Sequence, residues 1–187
     1  MDIIQNLNSK IWRLDNLYQI VDKNKNKIPF RLNKAQRHFL ESRGKKNIIL
    51  KSRQLGFTTL SAIDELDDVL WARNFNALMI SYDKESSLDI FDNKIYFPWE
   101  NYDQKLRKLY KVDTNTKNTL KFDFGDGTFS RIAVRSSGRS GTYNRVHISE
   151  LAKICRKYPE KAKEIITGTI PSVPLDGVID IESTAEG

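Results

Sequence analysis

The sequence from Asn47 to Leu60 combines a short apolar run, a polar loop and the start of a helix. The apolar run ends at Leu50, the loop Lys51-Ser-Arg-Gln-Leu-Gly56 follows, and the pattern becomes helical from Thr58. A loop between a strand and a helix N-terminus binds anions, because its free N–H groups and the helix dipole both favour negative charge. The segment therefore predicts a buried strand, an anion-binding loop and an α/β fold.

The loop matches the phosphate-loop pattern G-x-x-x-x-G-K-[ST] only in part. The four fixed positions of that pattern hold Lys51, Gly56, Phe57 and Thr58, so two of them agree. Phe57 cannot neutralise a phosphate, but Lys51 enters the loop from its strand side. Arg53 adds a planar fork of donors that suits bidentate phosphate contact. The positive charge of the loop would thus be kept in a displaced position, and an ordinary strand-turn-helix is the alternative.

A second motif is a short apolar strand, Val146-His-Ile-Ser149, that runs into Glu150. In ATPases of the additional-strand type this strand ends in Asp-Glu, where Asp holds the water shell of the metal and Glu polarises the attacking water. Here Ser149 stands in place of Asp, so Glu150 is the predicted base and Ser149 a weak contact to Mg²⁺ through water. His147 is predicted to be a packed core residue. A strand end with a solvated glutamate is the alternative.

Other patterned segments predict further elements around these motifs. The predicted helices cover 1–20, 33–42, 58–73, 98–111 and 159–166, and another opens at 82; the predicted strands cover 76–81, 119–124, 128–134 and 178–182. Gly125-Asp-Gly127 is a hairpin signal between two of these strands. The strand 47–50, the loop helix and the strand 76–81 predict a βαβ unit with a parallel sheet.

Gln36 and several arginines are further candidates for the site. Gln36 lies on the helix before the loop, and its amide offers both the donor and the acceptor that reading an adenine edge requires. Arg135, Arg139 and Arg145 flank a glycine-containing basic loop and are candidates for an arginine finger. The sequence does not choose among them, and a DNA-facing basic loop fits equally well.

Length and composition limit the class of protein. The 187 residues suit a single α/β domain, in which residues 1–32 form an N-terminal helix and a basic loop that leads into the rest of the domain. A single cysteine excludes an intrachain disulfide framework, and with two histidines it makes a Cys/His zinc site implausible. No run reaches ~18 apolar residues, and no secretory signal is evident. The net charge of +7 favours polyanionic partners.

From Gln36 to Gly187 the order of the motifs resembles the ATPase domain of large terminase subunits, the DNA-packaging motors of tailed bacteriophages. The loop resembles the family's deviant Walker A motif, and Val-His-Ile-Ser-Glu-Leu-Ala-Lys resembles a Walker B motif in which Ser replaces Asp. Ser183-Thr-Ala resembles its coupling motif. The resemblance implies a P-loop NTPase of the additional-strand, catalytic-glutamate type, with a mainly parallel sheet flanked by helices.

The same resemblance assigns roles to individual residues. The implied nucleotide-binding residues are Gln36, Lys51, Ser52, Arg53, Gln54, Leu55, Gly56, Phe57, Thr58, Thr59 and Thr184. Glu150 and Arg53 would act in catalysis, Thr58 would contact Mg²⁺, and Thr184 would sense the γ-phosphate. ATP and Mg²⁺ are the implied cofactors.

The implied function is ATP hydrolysis that powers the movement of double-stranded viral DNA into a procapsid. The implied partners are DNA, a portal protein and a small terminase subunit, with a homo-oligomeric ring on the procapsid, in the cytoplasm of a bacterial host and without a membrane. We expect no nuclease activity, because the acidic cluster of the family's C-terminal nuclease domain is absent from this sequence. The alternatives are a helicase-like DNA-remodelling ATPase and a non-catalytic DNA-binding module with a degenerate phosphate loop.

Overall fold

The computed structural model describes residues 3–138 and 141–185. The helices are α1 (Ile3–Asn8), α2 (Lys10–Leu17), α3 (Lys34–Ser42), α4 (Phe57–Trp71), α5 (Lys84–Ile90), α6 (Phe97–Glu100), α7 (Gln104–Arg107), α8 (Leu151–Lys157) and α9 (Pro159–Glu164). The strands are β1 (Gln19–Val21), β2 (Lys27–Pro29), β3 (Lys46–Leu50), β4 (Asn76–Ile80), β5 (Lys111–Thr116), β6 (Thr119–Asp123), β7 (Phe129–Arg135), β8 (Arg145–Ser149) and β9 (Val178–Ser183). Short π-helical segments, Phe91–Tyr96 and Ile165–Thr169, follow α5 and α9.

Seven strands form one sheet in the order β3-β9-β8-β4-β7-β6-β5. The first five are parallel, whereas β6 and β5 are antiparallel to their neighbours. β9 is the last strand of the described residues but lies between β3 and β8, which is the arrangement of the additional-strand class. The predicted fold class is therefore confirmed, and the two strands of the predicted βαβ unit, β3 and β4, are parallel with β9 and β8 between them.

The core lies on both faces of this sheet. Alternate residues of β4 show this, because Ala77 and Met79 pack into a cluster with α4, whereas Leu78 and Ile80 pack into another with α8 and α9. A strand covered on both faces reads as a continuous apolar run, as predicted for this segment. Within residues 3–138 and 141–185, no helix combines the length and apolar character needed to cross a bilayer.

The segment 98–111 differs from the single amphipathic surface helix that its aromatic and basic residues predict, for which nucleic-acid contacts are the alternative interpretation. It folds into the short helices α6 and α7, and Trp99 and Tyr102 are 2% and 1% exposed. The Trp99 ring packs edge-on against Phe122 of β6, with ring centroids 4.8 Å apart. These aromatic side chains therefore belong to the core, and they are not available to stack on nucleic-acid bases.

The N-terminal prediction of one helix and a loop over residues 1–32 is wrong in detail. Ser9 caps a new helix, because its hydroxyl accepts a hydrogen bond from the Trp12 N–H group at 3.3 Å. The helix ends at Leu17, and β1 and β2 then form a hairpin whose turn contains the lysine-rich loop. Strand β5 and helix α8 were not predicted either.

β3 is an edge strand, so the prediction of a buried strand before the phosphate loop is wrong. Within the described part of the chain it pairs only with β9. Ile48 and Leu50, on its open face, are 84% and 76% exposed. An apolar run of this length therefore does not distinguish a central strand from an edge strand.

A buried ionic cluster joins α4 to β8 and β9. The Arg145 guanidinium, 1% exposed, lies 2.6 Å from a carboxylate oxygen of Asp64, 2.8 Å from Asp68 and 2.5 Å from Asp180. Lys10 of α2 also binds Asp64, at 2.6 Å. Arg145 lies at the first residue of β8, at the end of the strand remote from Glu150, and its guanidinium is buried among these carboxylates, so it is placed neither to reach this chain's own site nor to extend to a neighbouring subunit as an arginine finger.

Glu65 lies in this cluster and gives a pH-dependent prediction. Its buried carboxyl has no hydrogen-bond partner among the described residues and lies 3.8 Å from the Arg145 Nε atom. Burial raises the pKa of Glu65 well above 4.5 and outweighs the attraction of Arg145. A raised pKa means that this group favours folding below about pH 4.5 and loses that contribution as the pH rises toward the folded value.

We therefore expect Glu65→Gln to increase the free energy of unfolding relative to wild type at about pH 8. The gain should be smaller at about pH 5, because wild-type Glu65 is then protonated in a larger share of unfolded chains. Urea unfolding at the two pH values measures both differences. Asp113→Asn, at an exposed position on β5, is the control. A gain of equal size at both pH values would contradict the prediction.

Candidate functional site

The candidate phosphate loop, residues 51–56, connects the carboxyl end of β3 to the start of α4. Gly56 is the N-cap of α4 and has a φ angle of 71°, in the left-handed region. The left-handed backbone conformation favours glycine, and a Cβ atom at this position would lie 2.9 Å from the Gln36 Nε2 atom and displace that amide. Gln54 also has a positive φ, 67°, and its side chain accepts a hydrogen bond from Lys23 at 2.7 Å.

Gln36 is tied to this loop. Its Oε1 atom accepts a hydrogen bond from the Asn33 N–H group at 3.0 Å, which forms a capping box at the start of α3. Its Nε2 atom donates to the Gly56 carbonyl at 3.0 Å, and the residue is 3% exposed. Both ends of the amide are therefore engaged within the protein, and reading an adenine edge would require these bonds to be exchanged.

The structure brings Lys51, Glu150 and Thr184 together, at the ends of three neighbouring strands. The Lys51 Nζ atom lies 3.1 Å from Glu150 Oε1, and the N–H and hydroxyl groups of Thr184 donate to Glu150 Oε2 at 3.2 and 2.9 Å. Burial raises the pKa of Glu150, but the hydrogen bonds from Lys51 and Thr184 outweigh it and hold the pKa below its usual value. Glu150 is therefore an ionised carboxylate at neutral pH.

Glu182 of β9 was not predicted as a site residue, although it lies at the centre of the site. Its side chain is fully buried, and its Oε1 atom accepts hydrogen bonds from Thr58 and, at 3.0 Å, from Ser149. The Nε2 atom of buried His147 lies 3.5 Å from the same oxygen, and Lys51 lies 3.8 Å from Oε2. Burial raises the pKa of Glu182, but His147, Thr58 and Lys51 together lower it to about 2.

The sequence did contain a signal for Glu182. β9 alternates Ile179 and Ile181 with Asp180 and Glu182, and a charged side chain in the middle of a covered strand must find a buried partner. Asp180 is paired with Arg145, and Glu182 with the loop side chains. The alternation indicates that partners exist, but it does not identify them.

A cleft of about 320 Å³ opens over this group. It is lined by Lys51, Arg53, Gln54, Glu150, Lys153 and Thr184. Its size is at the lower end for a small-molecule site. Larger clefts lie elsewhere: one of about 530 Å³, between α2 and α7, contains none of the predicted site residues.

The other predicted site residues divide by exposure. Ser52, Arg53, Gln54 and Leu55 are exposed loop residues, and Thr59 is half-buried in the first turn of α4. Phe57 is 6% exposed and packs edge-on against Phe39, so only its backbone could contact a nucleotide. Arg135 is half-buried at the end of β7, whereas Arg139 lies outside the described residues.

The oxygen atoms of the site suit Mg²⁺ bound together with a nucleotide. Among the described residues, no group of three or more His, Cys, Asp or Glu side chains could hold a metal ion by itself. Mg²⁺ instead binds through few protein ligands and completes its shell with water and substrate phosphates. Thr58 and Ser149 line a small cavity of about 170 Å³ together with Glu150, Asp89 and Lys94. The Oε2 atom of Glu182, to which both hydroxyl groups are linked through Oε1, lacks a hydrogen-bond partner in the described chain.

No protein-family model and no curated protein matches this sequence. Among solved structures, the chain is similar to the large terminase ATPase domain of Thermus phage P74-26, with a TM-score of 0.63 and 16% identity. That match covers 84% of this chain and 66% of the other. The HK97 bacteriophage large terminase matches with a TM-score of 0.62 and 14% identity over 95% of this chain and 37% of its own. At such identities the likeness establishes a shared fold.

Proposed function

We propose that this chain hydrolyses ATP and acts as the ATPase domain of a large terminase. The observation that carries the proposal is the meeting of Lys51, Glu150 and Thr184 at the carboxyl ends of β3, β8 and β9. These residues come from segments far apart in the sequence. A strand-turn-helix without a nucleotide site does not require a buried lysine, an ionised glutamate and a threonine hydroxyl to lie together.

In the proposed mechanism the loop N–H groups, Lys51 and Arg53 bind the phosphates. Glu150 is ionised and can accept a proton from the attacking water. Lys51 now neutralises Glu150 at 3.1 Å, so a phosphate that attracts the ammonium would free the carboxylate to act as a base. Lys51 would thus couple nucleotide binding to activation of the base.

Two hydroxyls and a threonine complete the mechanism. Thr58 and Ser149 would hold Mg²⁺, which when bound stabilises negative charge on the phosphates. Thr184 donates two hydrogen bonds to Glu150, so a change in the position or charge of Glu150 would alter these bonds at the end of β9. That contact is the proposed route from the nucleotide state to the DNA-binding surface.

The wider proposal concerns partners and organisation. We propose that residues 1–187 form one ATPase domain without nuclease activity, which moves double-stranded viral DNA into a procapsid in the cytoplasm of a bacterial host. A portal protein, a small terminase subunit and a ring of identical subunits would complete the motor. The net charge of +7 supports a polyanionic partner.

Phosphate release from ATP and Mg²⁺, with and without double-stranded DNA, tests the proposal. We expect wild type to turn over ATP and Lys51→Ala to be slower by about 10²–10³-fold, because a charge that stabilises the transition state is removed. Lys51→Arg, which keeps the charge, tests whether charge alone suffices. Lys111→Ala, at an exposed position on β5, is the matched control and should behave as wild type.

Nucleotide binding is followed in parallel by the shift in melting temperature, since a ligand that binds only the folded state must raise it. If Lys51→Ala retains binding and turnover, the charge of the loop comes from Arg53 and the proposed site is wrong at its centre. If folded wild type neither binds nor hydrolyses ATP, the chain is a DNA-binding module with a degenerate phosphate loop.

A further inference from the structure

The end of β8 lacks a metal-side aspartate, but a carboxylate occupies the adjacent strand. Ser149 is paired in register with Glu182 of β9, and the Ser149 hydroxyl donates to Glu182 Oε1 at 3.0 Å. The Thr58 hydroxyl donates to the same oxygen. One buried carboxylate therefore holds both hydroxyls that face the site.

The direction of these hydrogen bonds matters for cation binding. A hydroxyl has one hydrogen and two lone pairs, so a hydroxyl that donates its hydrogen to a carboxylate keeps its lone pairs for a cation. Thr58 and Ser149 line the cavity of about 170 Å³, whereas Glu182 lies behind them and is fully buried. Two hydroxyl-bearing residues thus line the cavity, and each donates a hydrogen bond to the same buried carboxylate, which is not among the lining residues.

The second oxygen of Glu182 gives an independent reason to expect a cation. Its Oε2 atom is buried and has no hydrogen-bond partner in the part of the chain that the structure describes. The Lys51 ammonium lies 3.8 Å from Oε2 and is shared with Glu150 at 3.1 Å, and the Nε2 atom of His147 lies 3.5 Å from the other oxygen, Oε1. These partners hold Glu182 in its charged form but leave Oε2 without a hydrogen bond, so a cation nearby would still stabilise this oxygen.

We propose that Glu182 is a positioning residue for the Mg²⁺ that accompanies the nucleotide. It supplies from β9 the negative charge that an aspartate at position 149 would supply from β8, and it acts through the hydroxyls of Thr58 and Ser149. This inference rests on the proposed function, since it concerns the metal of the same nucleotide site.

The test compares the affinity of the purified chain for a fluorescent ATP analogue in Mg²⁺ and in EDTA. Wild type should bind more tightly in Mg²⁺. Glu182→Gln keeps the shape and the hydrogen-bond acceptor but removes the charge. We therefore expect the ratio of the Kd in EDTA to the Kd in Mg²⁺, which is the gain from Mg²⁺, to fall by about 10- to 100-fold, with the Kd in EDTA unchanged. Adding Ser149→Asp to Glu182→Gln should restore the gain, because it returns a carboxylate to β8. Asp113→Asn controls for loss of a surface charge.

Several results would overturn this inference. An undiminished Mg²⁺ effect in Glu182→Gln would show that its charge is not needed. An equal loss of affinity in Mg²⁺ and EDTA would show that Glu182 acts through Lys51 or the fold. If a folded Glu182→Gln, Ser149→Asp double variant did not regain the Mg²⁺ effect, the idea that a carboxylate on β9 replaces one on β8 would be rejected. If Glu182→Gln does not fold, Glu182→Asp carries the test, with an expected loss of about tenfold in the Mg²⁺ effect alone. A folded wild type that binds no nucleotide would instead reject the proposed function itself.

Discussion

Glu150→Gln is expected to slow ATP turnover by about 10²- to 10⁴-fold, because an amide cannot accept the proton of the attacking water. The substitution is nearly isosteric, and its carbonyl oxygen can still accept the hydrogen bonds that Thr184 makes at 2.9 and 3.2 Å. Lys51 loses a charged partner at 3.1 Å and becomes more available to phosphate. ATP binding should therefore be retained or become tighter while hydrolysis is lost.

Single-turnover hydrolysis and equilibrium binding of ATP measure these two effects separately. Glu160→Gln, at an exposed position on α9, is the matched control and should leave both unchanged. If Glu150→Gln lost binding and turnover to the same extent, the residue would be needed to hold Lys51 and not to act on water. Unchanged turnover would remove Glu150 from the mechanism.

Arg145→Leu is expected to lower the free energy of unfolding by about 3–5 kcal/mol, because it leaves buried carboxylates without their main cation. Arg145 contacts Asp64 at 2.6 Å and Asp180 at 2.5 Å, and all three side chains are at most 1% exposed. Such a loss is a large fraction of the stability of a typical domain. Denaturant unfolding measures it. Arg73→Leu, which removes an ion pair with Asp126 and a contact with the Phe124 ring at a half-exposed position, should cost far less.

The pH dependence of this variant gives a stricter test. Burial raises the pKa of Asp64, but Arg145, Lys10 and Arg43 outweigh it and hold the pKa well below 3.8 in the folded wild type. A lowered pKa stabilises the fold above about pH 3.8, and this contribution is lost as the pH falls toward the folded value. In Arg145→Leu the pKa of Asp64 should rise, so the deficit against wild type should shrink with falling pH. A deficit that is independent of pH would indicate lost packing and not lost charge.

Local patterns predicted most of the fold. The apolar run of β4, the helix predicted to begin at Asn33, the hairpin signal at Gly125 and the strand before Glu150 all correspond to observed elements. They were predictable because neighbouring residues determine them. The order of the strands follows from the resemblance to known ATPases, and composition alone would not have given it.

What the sequence did not reveal depends on contacts between distant segments. Glu182 acquires its importance from Thr58 and Ser149, which are 124 and 33 positions away. Arg145 looked like a candidate finger because a basic loop precedes it, but the acidic face of α4 and Asp180 bury it. Charged residues in a covered strand or helix indicate buried pairs, but the choice of partner comes from the tertiary structure.

The position of β3 at the edge of the sheet bears on how this loop moves. Along the described chain only β9 pairs with β3, so the other edge of the strand is unpaired. One face of β3 is also exposed to solvent, through Ile48 and Leu50. Edge strands open more easily than central ones, and their amide hydrogens exchange sooner. The loop that binds phosphate is therefore attached to one of the less protected strands of the sheet, whereas Glu150 follows a central strand. A nucleotide that contacts both the loop after β3 and Glu150 after β8 would join a more mobile part of the site to a more rigid one. Part of its binding free energy would then be spent on restricting the motion of the edge strand.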